Sequence, residues 1–200
     1  MTSPRPHLPA EARREITVEA VLGLAAEQNP SDITTAAIAR RMGLTQGAIF
    51  RHFPTKEALL ESVMQWVSTR LTERLDQARA GAPDPLSALK AMFLAHADFI
   101  VEHPGVPRLL LGELQRAEDT PAKRIARSLL EGYAARVSEL LEDLRTCGAL
   151  RDGLNTRDAV AAFIGAIQGL AMQSLIAGDI SRIRTQAPAV FDIYRRGTGA

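Results

Sequence analysis

Side chains with the makings of chemistry are few in this chain. His96 and His103 stand seven residues apart with Phe99 and Ile100 between them, a spacing that places both on one face of a helix. Two histidines without a third ligand make no metal site, so no metal is expected. Cys147 is the single cysteine, which rules out an intramolecular disulfide and a cysteine-rich metal site. There is no Ser/His/Asp set, no Gly-rich phosphate loop and no acid pair in an identifiable cleft, so neither a catalytic residue nor a cofactor is expected. The informative residues are Gly47 and Lys56, in the stretch LTQGAIFRHFPTKEALL from Leu44 to Leu60. A glycine inside a short helix costs roughly 1 kcal/mol relative to alanine. A lysine in the first turn of a helix is repelled by the helix dipole. Both choices make sense beside a polyanion: the missing side chain lets a backbone approach a base edge, and a lysine and a helix N-terminus attract the same phosphate.

The elements that carry these residues read as helices throughout. Nearly every segment longer than ten residues has 3.6-type apolar spacing, and no stretch alternates with period two. A first helix spans about Pro9 to Gln28, with Ile16, Ala20, Leu22, Leu24 and Ala25 available for a buried stripe. A helix of about two turns follows in TTAAIARRMG, capped by Thr34 or Thr35 and closed by Gly43. Another lies in TQGAIFRHF, capped by Thr45 and stopped by Pro54. Thr55 can cap a long helix to about Arg79. The break AGAPDP, Ala80 to Pro85, marks a boundary. Beyond it come a helix from about Leu86 to Glu102, a Pro-interrupted piece in HPGVPRLLLGEL, and helices over about Pro121–Arg145, Arg157–Ala177 and Ala187–Arg195. The expected organisation is an N-terminal helix-turn-helix domain over residues 9–56, a connecting helix over 57–80, and a helical domain over 86–197.

Composition agrees with a folded, all-α protein: 200 residues, 46% hydrophobic, 24% charged, formal net charge +1. Residues 1–56 hold seven basic against five acidic residues, a weak tilt toward a polyanion partner. The N-terminus lacks the apolar stretch of a signal peptide, and no uninterrupted apolar run approaches the ~20 residues of a membrane span, so a cytoplasmic location without membrane contact is expected.

Two short helices joined by a tight turn containing glycine have the geometry of a DNA-binding helix-turn-helix, whose second helix enters the major groove. Ala39 is small where the helices would cross, and Ile38, Met42, Leu44, Ile49 and Phe53 can form one apolar patch. The spacing alone also admits a helical hairpin packed in an ordinary core. Residues from about Arg14 to Val67, and TTAAIARRMGLTQGAIFRHFPTKEALL above all, resemble the N-terminal domain of the TetR family of transcriptional regulators. The remaining two-thirds is similar to that family only in helix count and in FIGAIQGLAMQSL. The resemblance implies phosphate contacts from Thr35 and Thr45, whose alternative role is plain N-capping, and base contacts from Gln46 to adenine, Arg51 to guanine and Ala48 to a thymine methyl. It implies backbone contacts from His52 and Lys56, with Gly47 giving close approach. Phe50 stands where the family usually carries tyrosine. A phenolic hydroxyl to phosphate is therefore missing, Phe50 is left with packing alone, and affinity leans on Arg51, His52 and Lys56.

One copy of such a domain makes few contacts, so a two-fold homodimer reading two half-sites of a double-stranded operator is expected. Ala162, Gly165, Ala166 and Gly169 give one side of a helix on which another can come close, and Phe163, Ile167, Leu170 and Leu175 supply apolar area. Val190, Phe191 and Tyr194 can complete a four-helix interface of the kind found in TetR-like proteins. A small-molecule effector site is expected around Phe93, His96, Phe99, His103, Tyr133 and Met172. The favoured reading is a repressor released from its operator by that effector. The alternative is an effector-independent DNA-binding protein of the same architecture, controlled by another protein or acting on chromosome organisation. An apolar cavity of ~300–1,000 Å³ in the second domain would separate the two.

Overall fold

The computed structural model describes residues 10–199. The expected helix start at Pro9, and Arg5 of the basic tilt, lie outside them. Nine α-helices and one short 3₁₀ turn at Pro30–Asp32 make up the described residues, with no strand among them. The order is α1 (Ala10–Glu27), α2 (Thr35–Met42), α3 (Gln46–Phe50), α4 (Lys56–Ala80), α5 (Pro85–Glu102), α6 (Gly105–Leu114), α7 (Pro121–Thr146), α8 (Thr156–Ile176) and α9 (Arg182–Thr198).

Local chemistry explains most boundaries. The Thr34 hydroxyl accepts from the Ala37 N–H at 3.1 Å and starts α2. Gly43, at φ 63°, ends it in the left-handed conformation a side chain would resist. Thr55, Asp84, Thr120 and Asn155 cap α4, α5, α7 and α8 in the same manner. Two expectations are corrected. HPGVPRLLLGEL is a regular helix, α6, because Pro107 falls in its first turn, where no intrahelical N–H bond is lost. Helix α9 starts at Arg182 rather than Ala187 and carries Pro188 in its interior, on an exposed face.

The helix-turn-helix packs as a unit on α1 and α4. Ile38, Ala39, Ile49 and Phe53 are buried together with Val18, Val21 and Val63. Leu44 is exposed, not part of that patch, and Ile16 of the expected α1 stripe is 41% exposed, its place taken by Thr17 and Val18. A bidentate Arg41–Glu27 pair at 2.6 and 2.8 Å braces α2 against α1 and holds the Glu27 carboxyl below its usual range. Arg41 of the basic tilt is therefore already neutralised.

Helix α4 continues into the second half, where it packs on α5 and α7 through Leu71 and Leu75. Arg74–Glu102 and Arg136–Asp76 pairs lie along the seams. An aromatic cluster of Phe93, Phe163, Phe191 and Tyr194 ties α5, α8 and α9, with ring centroids 5.3–6.1 Å apart. The Tyr194 hydroxyl donates to the Ala159 carbonyl at 3.1 Å. Helix α8 is long and apolar enough on average to cross a membrane, with mean hydropathy 1.7, although Gln168 and Gln173 interrupt its apolar run. Its apolarity serves two sides, the core and an outward face.

Candidate nucleic-acid interface and cavity

Helix α3 is only five residues long, held by Ile49 in the core and presenting the rest outward. Gln46, Gly47 and Arg51 are exposed, and Ala48 and His52 are half-buried beside them. A Cβ built on Gly47 would meet nothing within 4 Å, so nothing in the protomer requires glycine there. The N-capping alternative fails for Thr35, because Thr34 caps α2 and leaves Thr35 as its first helical residue, while Thr45 holds the N-cap position of α3 without a capping bond from its side chain. The Thr35 hydroxyl instead accepts from Gln46 Nε2 at 2.8 Å, which fixes the Gln46 carboxamide. Arg51 Nε makes one long bond to the Gly47 carbonyl at 3.4 Å, so its terminal nitrogens have no partner among the described residues. Lys56 Nζ donates to the Ser31 carbonyl at 3.3 Å, which holds an uncompensated ammonium beside the N-terminus of α4. Phe50 corrects the expectation of packing: it is 45% exposed and lies on the same outer surface.

The second surface lies on α8 and α9. Ala162 and Gly165 are exposed, and Ala166, Gly169 and Val190 are half-buried; built Cβ atoms at Gly165 and Gly169 meet nothing within 4 Å. Phe163, Leu170, Phe191 and Tyr194, expected on the same interface, point into the protomer's own core and are not available. The apolar area outside comes from residues not anticipated: Ile176 is 79% and Ile193 68% exposed, with Met172 beside them.

Between α4, α5, α6, α7 and α8 lies a cavity of about 690 Å³. Of the residues expected around an effector, His96, Phe99, Tyr133 and Met172 line it. Phe93 does not, being fully buried in the aromatic cluster. His103 does not either: α5 ends at Glu102, so His103 leaves the helical path and packs edge-on against Trp66 with centroids 5.2 Å apart. Helix α6 supplies Val106, Pro107, Leu110, Leu111 and Leu114, which the sequence reading missed by treating the segment as interrupted. Five buried side-chain polar atoms have no hydrogen-bond partner among the described residues, and two of them, His96 Nδ1 and Tyr133 Oη, belong to residues lining this cavity. Desolvation pushes His96 down to about 4 and the Tyr133 phenol up, so both are neutral near pH 7.

Residues 18–63 match the family model described as bacterial regulatory proteins, tetR family. The nucleoid occlusion factor SlmA of Haemophilus ducreyi is 25% identical over 170 residues, covering 82% of each chain. Among solved structures, native NalD, the secondary repressor of the MexAB-OprM multidrug efflux pump in Pseudomonas aeruginosa, is 26% identical with a TM-score of 0.68, over 95% of this chain and 97% of that one. The transcriptional regulator FadR from Bacillus subtilis, in complex with stearoyl-CoA, shares the fold at 17% identity and a TM-score of 0.79, over 92% and 98% of the two chains.

Proposed function

We propose that this chain, whose residues 18–63 match the tetR family model, is a TetR-family transcriptional regulator, a cytoplasmic homodimeric repressor released from its operator by a small apolar effector. Thr35, Thr45, Gln46, Gly47, Ala48, Arg51, His52 and Lys56 form the reading surface. Gln46 and Arg51 contact base edges, and the threonines, His52 and Lys56 contact backbone. The dimer forms through the outer face of α8 and α9, around Gly165, Gly169, Met172, Ile176 and Ile193. Residues 10–56 then act as the reading domain, and the helices beyond Pro85 as the sensing and pairing domain.

The observation that carries the sensor reading is the double duty of α6. Five of its residues line the cavity, and the Gly105 at its start packs so closely on α1 that a Cβ would overlap the Leu22 carbonyl oxygen and sit 3.1 Å from Ala25 Cβ. A ligand that wedges α6 moves α1, and with it the spacing of the two reading helices. A dimer that fits one spacing of half-sites loses affinity when that spacing changes. The stearoyl-CoA bound by FadR from Bacillus subtilis fits the same use of this fold. The second reading, a DNA-binding protein without an effector, is favoured by the match to nucleoid occlusion factors. The test is footprinting on an inverted repeat near the chain's own gene. Gln46→Ala is expected to relax base preference at one position in each half-site, by ~1–3 kcal/mol. Unchanged preference would remove the reading of α3.

A further inference from the structure

Resting on the cavity as an effector site, the lining points to one chemical class. The cavity follows the α7 face that carries Lys123, Ala126, Leu130 and Tyr133. Ten residues separate Lys123 from Tyr133, about 15 Å along the helix axis. The Lys123 end is the mouth, where Leu114 is exposed; near Tyr133, at the floor, Phe99 and Ile167 are buried. Lys123 Nζ donates to the Arg116 carbonyl, a neutral acceptor, with the Glu118 carboxylate near enough to feel its charge, whereas Arg127 is paired with Asp119 at 2.9 Å. At the floor, His96 Nδ1 and Tyr133 Oη lie on rings whose centroids are 5.4 Å apart, and neither atom has a partner. A hydrocarbon tail seated there would leave both polar atoms unpaired in an apolar setting, which sites built around such groups reject.

We propose that the cavity takes an elongated amphipathic acid bearing a second oxygen, a hydroxyl or keto group, at its far end. The carboxylate faces Lys123, and the distal oxygen bonds with His96 and Tyr133. A hydroxyl accepts from the Tyr133 O–H and donates to a bare imidazole nitrogen; a keto oxygen accepts from Tyr133 in the same place.

The test is calorimetric titration of the full chain with ω-hydroxydodecanoic acid, dodecanoic acid and dodecanediol, each followed by operator release. The hydroxy acid is expected to bind about tenfold more tightly than dodecanoic acid. Tyr133→Phe and His96→Leu are each expected to erase that preference while leaving dodecanoic acid binding equal or stronger. Lys123→Met should weaken both acids alike and leave the diol unchanged. Equal wild-type affinities, a preference that survives both substitutions, or no binding by any of the three would overturn the proposal. Operator release by dodecanoic acid without preference overturns it while leaving the sensor reading intact. A preferred, tightly bound hydroxy acid that leaves the operator complex intact supports the ligand class and removes the sensor reading.

Discussion

Replacing Lys56 by alanine separates a residue kept for DNA from one kept for the fold. In the free protein Lys56 contributes almost nothing to stability. Its one bond, to the Ser31 carbonyl, is exposed and 3.3 Å long, and its charge opposes the α4 dipole by a few tenths of a kcal/mol. The two nearly cancel, so Lys56→Ala should change unfolding free energy by less than about 0.5 kcal/mol. On DNA the outcome differs. Each phosphate neutralised contributes about 0.9 to the slope of log affinity against log salt, and a dimer carries two copies of Lys56, so the slope should flatten by about 1.8. Between ~50 and ~200 mM salt the variant should therefore lose roughly tenfold less affinity than the wild type does, starting from a weaker complex. Fluorescence anisotropy of a labelled inverted-repeat duplex across that range measures the slope, and Lys90→Ala, an exposed lysine on α5, should leave it unchanged. A slope identical to wild type, or a melting point lowered by many degrees, would refute the reasoning.

Other expectations follow from the packing. Gly105→Ala forces α6 off the α1 backbone and should cost about 1–3 kcal/mol in chemical denaturation, with operator affinity falling even where the variant stays folded. Ile193→Glu places a charge at the centre of the proposed dimer face, twice per two-fold assembly. Sedimentation should show monomer at concentrations where the wild type is dimeric, with helicity intact. His96 is held neutral, so below its unfolded value of 6.5 the unfolded chain takes up a proton that the folded chain refuses. Stability should thus be full above pH 6.5 and fall by about 3 kcal/mol as pH drops to about 4, a decline that His96→Leu flattens in pH-dependent denaturation.

The reading half was legible because its signals are local. Threonine caps, the positive-φ Gly43 and the stop before Pro54 lie within a few residues of the elements they shape. The phosphate-facing role proposed for Lys56 rests on a breach of helix-dipole preference, which needs no tertiary information. The pairing face was half legible. Helix α8 is apolar on two sides, burying Phe163 and Leu170 within the protomer while leaving Gly165, Gly169 and Ile176 outside, and periodicity says that two faces exist without saying which one meets solvent. Phe93 and His96 illustrate the cavity's difficulty. One turn apart on α5, they face different neighbours, the aromatic cluster and the void, and only the placement of α7 and α8 decides between them. The seven-residue link from His96 to His103 failed because the helix stops one residue short of the second histidine.

The seam at Gly105 has a mechanical consequence. Side chains at an interface act as springs, since their torsions can yield and absorb a push. At this joint two main chains meet with nothing between them, so a shift of an ångström imposed on one helix is handed to the next almost undiminished. In the proposed repressor such stiffness would turn a modest swelling of the interior into a change of stride along the double helix.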